Sequence, residues 1–215
     1  KLKGLPRGTD LVCAGFPCQD LSQAGPTNGL KGGRSGLVLE VIRLVKRSRP
    51  RWLLLENVPF MLQLGGGTAV RRIVKELEDL NYRWAWRVVD TLGFGLPQRR
   101  ERVFLLASRV ADPADVLLVD DAPFVRPETA IGTLAHGFYW TEGRGGLGWA
   151  VDAIPTLKNG SSVGIASPPA ILMPDLRIIK PDLRDAERLQ GFSVNWTLPA
   201  EEVKRSSFRW SLVGN

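Results

Sequence analysis

Cysteine, histidine and long apolar runs are what this 215-residue sequence has least of, and each scarcity removes a class of protein. There are two cysteines, Cys13 and Cys18, five positions apart, and one histidine in the whole chain. Two neighbouring thiols cannot build a disulfide framework or a zinc-ligand spacing, so no metal is expected. That usage suits a reducing compartment, and a cytoplasmic, nucleoid-associated location is expected. No stretch approaches the ~18 consecutive apolar residues of a membrane-spanning helix, and no membrane partner is expected. Residues 1–10 carry neither a starting methionine nor the apolar core of a signal peptide, and the sequence reads as a fragment or as one half of a split protein.

What is present is ordinary for a folded protein: 44% hydrophobic and 24% charged residues, enough for one full-sized domain with a small additional lobe. The net charge of +7 favours a polyanionic partner. It is unevenly spread. Residues 1–108 hold 18 Lys/Arg against 9 Asp/Glu, whereas residues 109–215 hold 11 against 13. The basic surface therefore belongs to the first half.

Residues 9–15 (TDLVCAG) read as a short buried strand that runs into a loop, 16–36, rich in Gly, Gln, Ser and Asn. Apolar residues at 37, 38, 41, 42 and 45 have helical spacing, and Pro50 stops that helix. Residues 52–55 form a second apolar strand ending in Glu56-Asn57-Val58-Pro59. Val70, Ile73, Val74, Leu77 and Leu80 mark a second amphipathic helix. Residues 82–90 and 103–107 read as two more strands. The alternation predicts an α/β sheet with crossover helices, whose polar clusters gather at the carboxyl ends of the strands. The 98–102 cluster precedes its strand, so a loop is expected to carry it back to that edge. Residues 112–176 are rich in Gly, Pro and aromatics without helical period and predict an irregular or β lobe; 184–189 returns to helix, with Asp182 as a possible N-cap.

Three clusters could carry chemistry. Cys18, flanked by Pro17 and Gln19 in a loop after a strand, is placed for exposure as a nucleophile, although a lone thiol is more often buried and inert. Cys13, inside the apolar strand, is expected to be such a buried thiol. Glu56, at a strand end, is either a half-buried proton donor, or the partner of an arginine or a cap of the next helix. Gln98-Arg99-Arg100-Glu101-Arg102 offers three guanidinium forks suited to phosphates and base edges, or a surface ion-pair cluster.

Taken in order, Phe-Pro-Cys-Gln at 16–19, Glu-Asn-Val at 56–58, Gln-Arg-Arg-x-Arg at 98–102, Arg-Leu-Gln-Gly-Phe at 188–192 and Gly-Asn at 214–215 resemble the DNA (cytosine-5) methyltransferase family. The likeness covers nearly all of 9–110 and 177–215. It implies a partial Rossmann-like, S-adenosylmethionine-dependent methyltransferase sheet with a small irregular or β target-recognition lobe. The implied organisation is a catalytic part at 1–108 with its first strands missing, a recognition lobe at 109–176, and a return to the catalytic part at 177–215. The implied activity is methylation of double-stranded DNA at cytosine C5, in a restriction-modification setting.

The resemblance also implies roles. Cys18 adds to C6 of a flipped cytosine, Glu56 binds the base at N3 and its exocyclic amine, Arg102 contacts O2, and Arg100 supports the intermediate. Gln19, Ser22, Arg34 and Gln98 are expected at the DNA, the first three on a loop that closes over it. Pro17, Leu37 and Asn215 match positions that line the methyl-donor pocket. Trp140, Arg144, Trp149, Lys158 and Asn159 are further DNA-contact candidates, with core packing the commoner fate of a tryptophan.

One departure stands out. The family's Phe-x-Gly-x-Gly turn and following acidic residue, which hold the donor, have no counterpart before Asp10. A complementing N-terminal segment or subunit is therefore expected. Two alternatives remain: a catalytically silent DNA-binding relative, and an RNA cytosine methyltransferase.

Overall fold

The computed structural model describes residues 2–16, 36–121, 131–139, 148–158, 168–203 and 207–214. In chain order the elements are β1 (Leu11–Gly15), α1 (Gly36–Ser48), β2 (Trp52–Asn57), α2 (Thr68–Asp79), β3 (Arg83–Asp90), β4 (Gln98–Arg99), β5 (Glu101–Ser108), α3 (Ala114–Leu117), β6 (His136–Phe138), β7 (Ala150–Val151), β8 (Ile154–Pro155), β9 (Ala170–Leu172), β10 (Ile178–Ile179), α4 (Leu183–Leu189) and α5 (Ser207–Val213). They pack as two compact units, the first made of residues 1–89 and 101–121, the second of 90–100 and 122–215. Residues 177–215 belong to the second of these units.

In the first unit the strands lie in the order β1-β2-β5-β3. β1 and β2 are parallel and joined through α1; β2 and β5 are antiparallel. The apolar stripe of α1 buries Val38, Ile42 and Val45 against Leu53, Leu55, Leu105 and, from α2, Ile73 and Leu77. α1 ends where the sequence says it must. Arg49 takes a left-handed conformation, φ +49°, and Pro50 cannot continue the helix. The Tyr82 hydroxyl then donates to the Pro50 carbonyl at 2.6 Å, fixing the start of β3 beside the start of β2.

Cys13 departs from expectation. Side chains alternate across a strand, and in β1 only Val12 and Ala14 turn toward the core. Leu11, Cys13 and Gly15 take the opposite, exposed face, and β1 is the edge of its sheet, so Cys13 is an exposed thiol. An apolar sequence made it look like a strand covered on both faces; among the described residues one face is open.

The second unit contains an antiparallel sheet of order β10-β9-β6-β7 and a small parallel pair, β4 with β8. Its core joins Ile154 and Leu157 to Ala186 of α4 and Val213 of α5. Asp182 caps α4 in a reciprocal box with Asp185, the expected N-cap. Glu187, fully buried, accepts from Asn195 N, Thr197 N and Oγ1, and Arg209 Nη2 at 2.5–3.1 Å. Burial alone would push its carboxyl up, but these donors outweigh burial and hold it below the ordinary carboxylate value.

Candidate active site

The site edge of the first unit is built by strand direction. Because β1 and β2 are parallel in register, Gly15 lies opposite Glu56 at their carboxyl ends. Because β5 runs antiparallel to β2, its beginning lies at that same edge, with Val103 opposite Asn57. No returning loop is needed to bring Arg102 there; the antiparallel pairing does it. Nothing in the sequence announced that reversal.

Arg102 Nε and Glu56 Oε1 meet at 2.9 Å, the arginine side chain 17% and the carboxylate 37% exposed. Two of the residues expected to act on a base are thus brought together. Gly15 makes room for them. A Cβ on it would stand 2.9 Å from Glu56 Oε2, closer than real Cβ contacts come. The buried Asn57 amide donates to the Phe16 carbonyl at 2.8 Å, and its Oδ1 accepts from Val58 N at 2.9 Å. Asn57 therefore ties the end of β2 to the residue two positions before Cys18. Neither Gly15 nor Asn57 was given a role from sequence, although Asn57 lies within the Glu-Asn-Val motif and Gly15 just before Phe-Pro-Cys-Gln; their signal is spatial. Pro17, Cys18, Gln19, Ser22, Arg34 and Asn215 lie outside the described residues, as do Trp140, Arg144 and Asn159. Leu37, at the start of α1, is half exposed.

In the second unit, Gln98, expected at the DNA, lies in the interior. It is fully buried, its Nε2 donating to Leu189 O at 3.0 Å and Gln190 Oε1 at 3.2 Å while its Oε1 accepts from Leu157 N at 3.1 Å. Every polar atom of its side chain is engaged by its own chain, so it braces the start of the arginine cluster. Asp90 Oδ1 accepts from both Leu92 N and Arg100 N, and Thr91 N donates to Arg100 O, which closes the 90–100 loop on itself. Arg99 is exposed and Arg100 half-buried. Trp149 sits against His136 and Phe138 with ring centroids 5.0 and 5.7 Å apart, mainly a packing role. Lys158 lies 4.6 Å above the Tyr139 ring, its pKa lowered by partial burial. Burial pushes the Tyr139 phenol up to about 12, so it stays protonated and donates to Thr156 O.

The sequence profile of the C-5 cytosine-specific DNA methylase family matches residues 1–139, which hold Glu56, Arg102 and the Cys18 motif. The chain belongs to that family. Among related DNA methylases, the Type II methyltransferase M2.BsuMI of Bacillus subtilis (strain 168) is 49% identical along the whole chain, which covers 58% of that protein. The Type II methyltransferase M.BsuFI of Bacillus subtilis is 39% identical over 97 residues, 45% of this chain and 24% of its own. The chain thus spans less than two thirds of the curated relatives it matches. The fold is also that of the S. pombe Dnmt2 methyltransferase crystal structure, with a TM-score of 0.59 at 16% identity over 95% of this chain and 73% of that one. A Spodoptera frugiperda DNMT2 mutant gives 0.60 at 13% identity over 95% and 74%. The methylase fold is thereby the Rossmann-like methyltransferase sheet that the motifs implied. Among the described residues no helix is long and apolar enough to cross a membrane.

Proposed function

We propose that the chain carries the catalytic centre of a DNA cytosine-C5 methyltransferase, acting on a cytosine flipped from double-stranded DNA through a transient Cys18 adduct, in a restriction-modification setting. The observation that carries this reading is the Glu56–Arg102 pair, an acceptor and a donor held side by side at the edge where the chain leads into the Cys18 loop. A carboxyl suits the exocyclic amine and N3 of cytosine, and a guanidinium suits its O2.

Cytosine C5 is a poor nucleophile. Addition of the Cys18 thiolate to C6 makes C5 enamine-like, and a proton at N3, held by Glu56, stabilises the adduct. C5 then takes the methyl group. Loss of the C5 proton to a base returns the C6–S bonding pair to Cys18 and restores the aromatic ring. A stacked base exposes neither face, so it must leave the duplex. Arg100 is assigned to support the intermediate, and Gln19, Ser22 and Arg34 to contact DNA.

S-adenosylmethionine, when bound, supplies an electrophilic methyl on a sulfonium sulfur. The exposed apolar side chain of Leu37 fits the apolar part of such a donor, and Pro17 and Asn215 are assigned beside it.

The test is covalent trapping by full-length protein, with donor present, on a duplex carrying 5-fluorocytosine at the target. Wild type and Cys13→Ser are expected to give a denaturation-resistant complex, and Cys18→Ser none. Equal yields from the two serine variants would sink the assignment. Trapping on the matching RNA and not on DNA would favour an RNA methyltransferase, and donor binding without trapping on either would favour a silent relative.

A further inference from the structure

Part of the basic charge of the first unit lies away from where cytosine would bind. Arg49 and Arg51 flank Pro50 at the start of β2, and Arg109 follows β5 where that strand ends, since Ser108 lies opposite Trp52. This is the end of the sheet away from Glu56. β2 is six residues long, so the two ends are separated by roughly 17–20 Å. That is about twice the screening length at physiological salt. Charges here act on a ligand at Glu56 only weakly.

The three arginines form one cluster. Arg109 N donates to Arg51 O at 3.1 Å, and its guanidinium reaches Arg49 O at 3.4 Å and lies 5.9 Å over the Tyr82 ring. Burial pushes the Tyr82 phenol up, while the positive charges of Arg109 and Arg49 pull it down, which places both near its hydroxyl. Lys46 and Arg47 lie in the last turn of α1 just before Arg49, with Arg47 Nη1 donating to Lys3 O at 2.7 Å. All five residues are exposed, and among the described residues the one carboxylate paired with any of them is Asp10, 3.7 Å from Arg51.

The bland explanation covers part of this. Lys46 and Arg47 complement the negative end of the α1 dipole. It does not cover Arg49. That residue occupies a left-handed position where glycine or asparagine is ordinary, as Asn81 is at the end of α2. An arginine kept in a conformation that disfavours its Cβ, beside two more arginines and facing almost no acid, points to a ligand for the charge.

We propose that Arg49, Arg51 and Arg109 form a second contact for the phosphate backbone of duplex DNA, at the end of the sheet opposite the catalytic edge. Spaced guanidinium forks with no base-reading partner suit phosphates and carry no sequence preference. This rests on the proposed DNA substrate for the choice of polyanion, and the experiment separates the two.

The experiment uses full-length protein with Arg49→Gly, Arg51→Gln and Arg109→Gln combined, a 40-base-pair duplex read by fluorescence anisotropy from about 50 to 200 mM salt, and trapping on a 12-base-pair 5-fluorocytosine duplex. Each lost phosphate contact removes about 0.9 from the log–log salt slope, so the variant slope is expected to be shallower by about 2 to 3. Trapping on the short duplex at low salt is expected to be unchanged. If Arg109→Gln lowers the melting temperature through its lost packing on Tyr82, the Arg49→Gly, Arg51→Gln pair keeps the test, with a slope shallower by about 1 to 2. An unchanged slope overturns the proposal. So does short-duplex trapping that falls in step with binding, because the cations then belong to the catalytic footprint. A variant effect on binding to phosphatidylserine vesicles without one on DNA overturns it in favour of a membrane surface. A wild type that traps no cytosine while the slope still shifts leaves this contact standing and removes the methyltransferase reading.

Discussion

Arg102 and Glu56 are 2.9 Å apart although they arrive on strands of opposite direction, Arg102 within β5 and Glu56 within β2. The pair is partly exposed, and such pairs contribute at most about 1 kcal/mol to stability. Arg102→Ala is therefore expected to leave the urea midpoint nearly unchanged while lowering methyl transfer by at least tenfold. A loss of activity matched by a loss of several kcal/mol in urea titration would mean that the pair is structural.

Gly15 sets the space for that carboxylate. In Gly15→Ala the new Cβ would stand 2.9 Å from Glu56 Oε2, and β1 cannot easily shift because its backbone is in register with β2. The carboxylate must move instead. Methyl transfer is expected to fall, with thermal stability close to wild type; a Gly15→Ala variant of full activity would show that the carboxylate has room to spare.

Asn57 acts through others. Asn57→Ala leaves the Phe16 carbonyl without its buried donor, which costs about 1–3 kcal/mol in denaturant. Because Phe16 precedes Cys18 by two residues, kcat is expected to drop while the salt slope of DNA binding stays fixed. A drop in DNA affinity alone would assign Asn57 to binding.

Glu187 should give the second unit an acid limit. Its folded pKa is depressed, so its contribution is complete above the ordinary value near 4.5 and is lost as pH falls through the lower folded value. Glu187→Gln breaks a buried pair with Arg209 and is expected to cost about 3–5 kcal/mol at neutral pH. It should also flatten the decline of stability below pH 4, followed by tryptophan fluorescence. A mutant that declines as steeply as wild type would place the acid-labile group elsewhere.

Exchange of residues 112–176 for the same segment of a relative is expected to change the methylated sequence and preserve Cys18 trapping. In the proposed mechanism Glu56 and Arg102 contact only the flipped base, and neighbouring bases need groove-edge contacts. Methylation sequencing of an active chimera that shows the old site would move specificity to the 19–36 loop.

Much of the first unit was legible because its periodicities are clean. The positions 37, 38, 41, 42 and 45 gave α1, and 70 to 80 gave α2, since one face of each meets the sheet. Strand direction was not legible: apolar alternation in β5 is the same read either way, so its antiparallel course came only with the fold. Cys13 misled because apolar composition does not say which face of an edge strand is covered. Gln98 misled for the opposite reason. It stands among arginines in sequence, yet its partners Leu157, Leu189 and Gln190 are 59 to 92 positions away. The bond between Asn57 and Phe16, 41 apart, was invisible on the same ground.

The interleaving of the chain also imposes an order of assembly. β2 finds its antiparallel partner only when β5 has been made, so the first unit must wait across α2, β3 and the 90–100 segment before its sheet closes. Within that segment Gln98 meanwhile lacks its partners, because it bonds to Leu189, at the end of α4, and to Gln190, made some 90 residues later. Such long-range closures are slow. On the ribosome, the 90–100 segment therefore takes its final form last, and a nascent chain released before α4 holds a finished first sheet and an unanchored 90–100 segment.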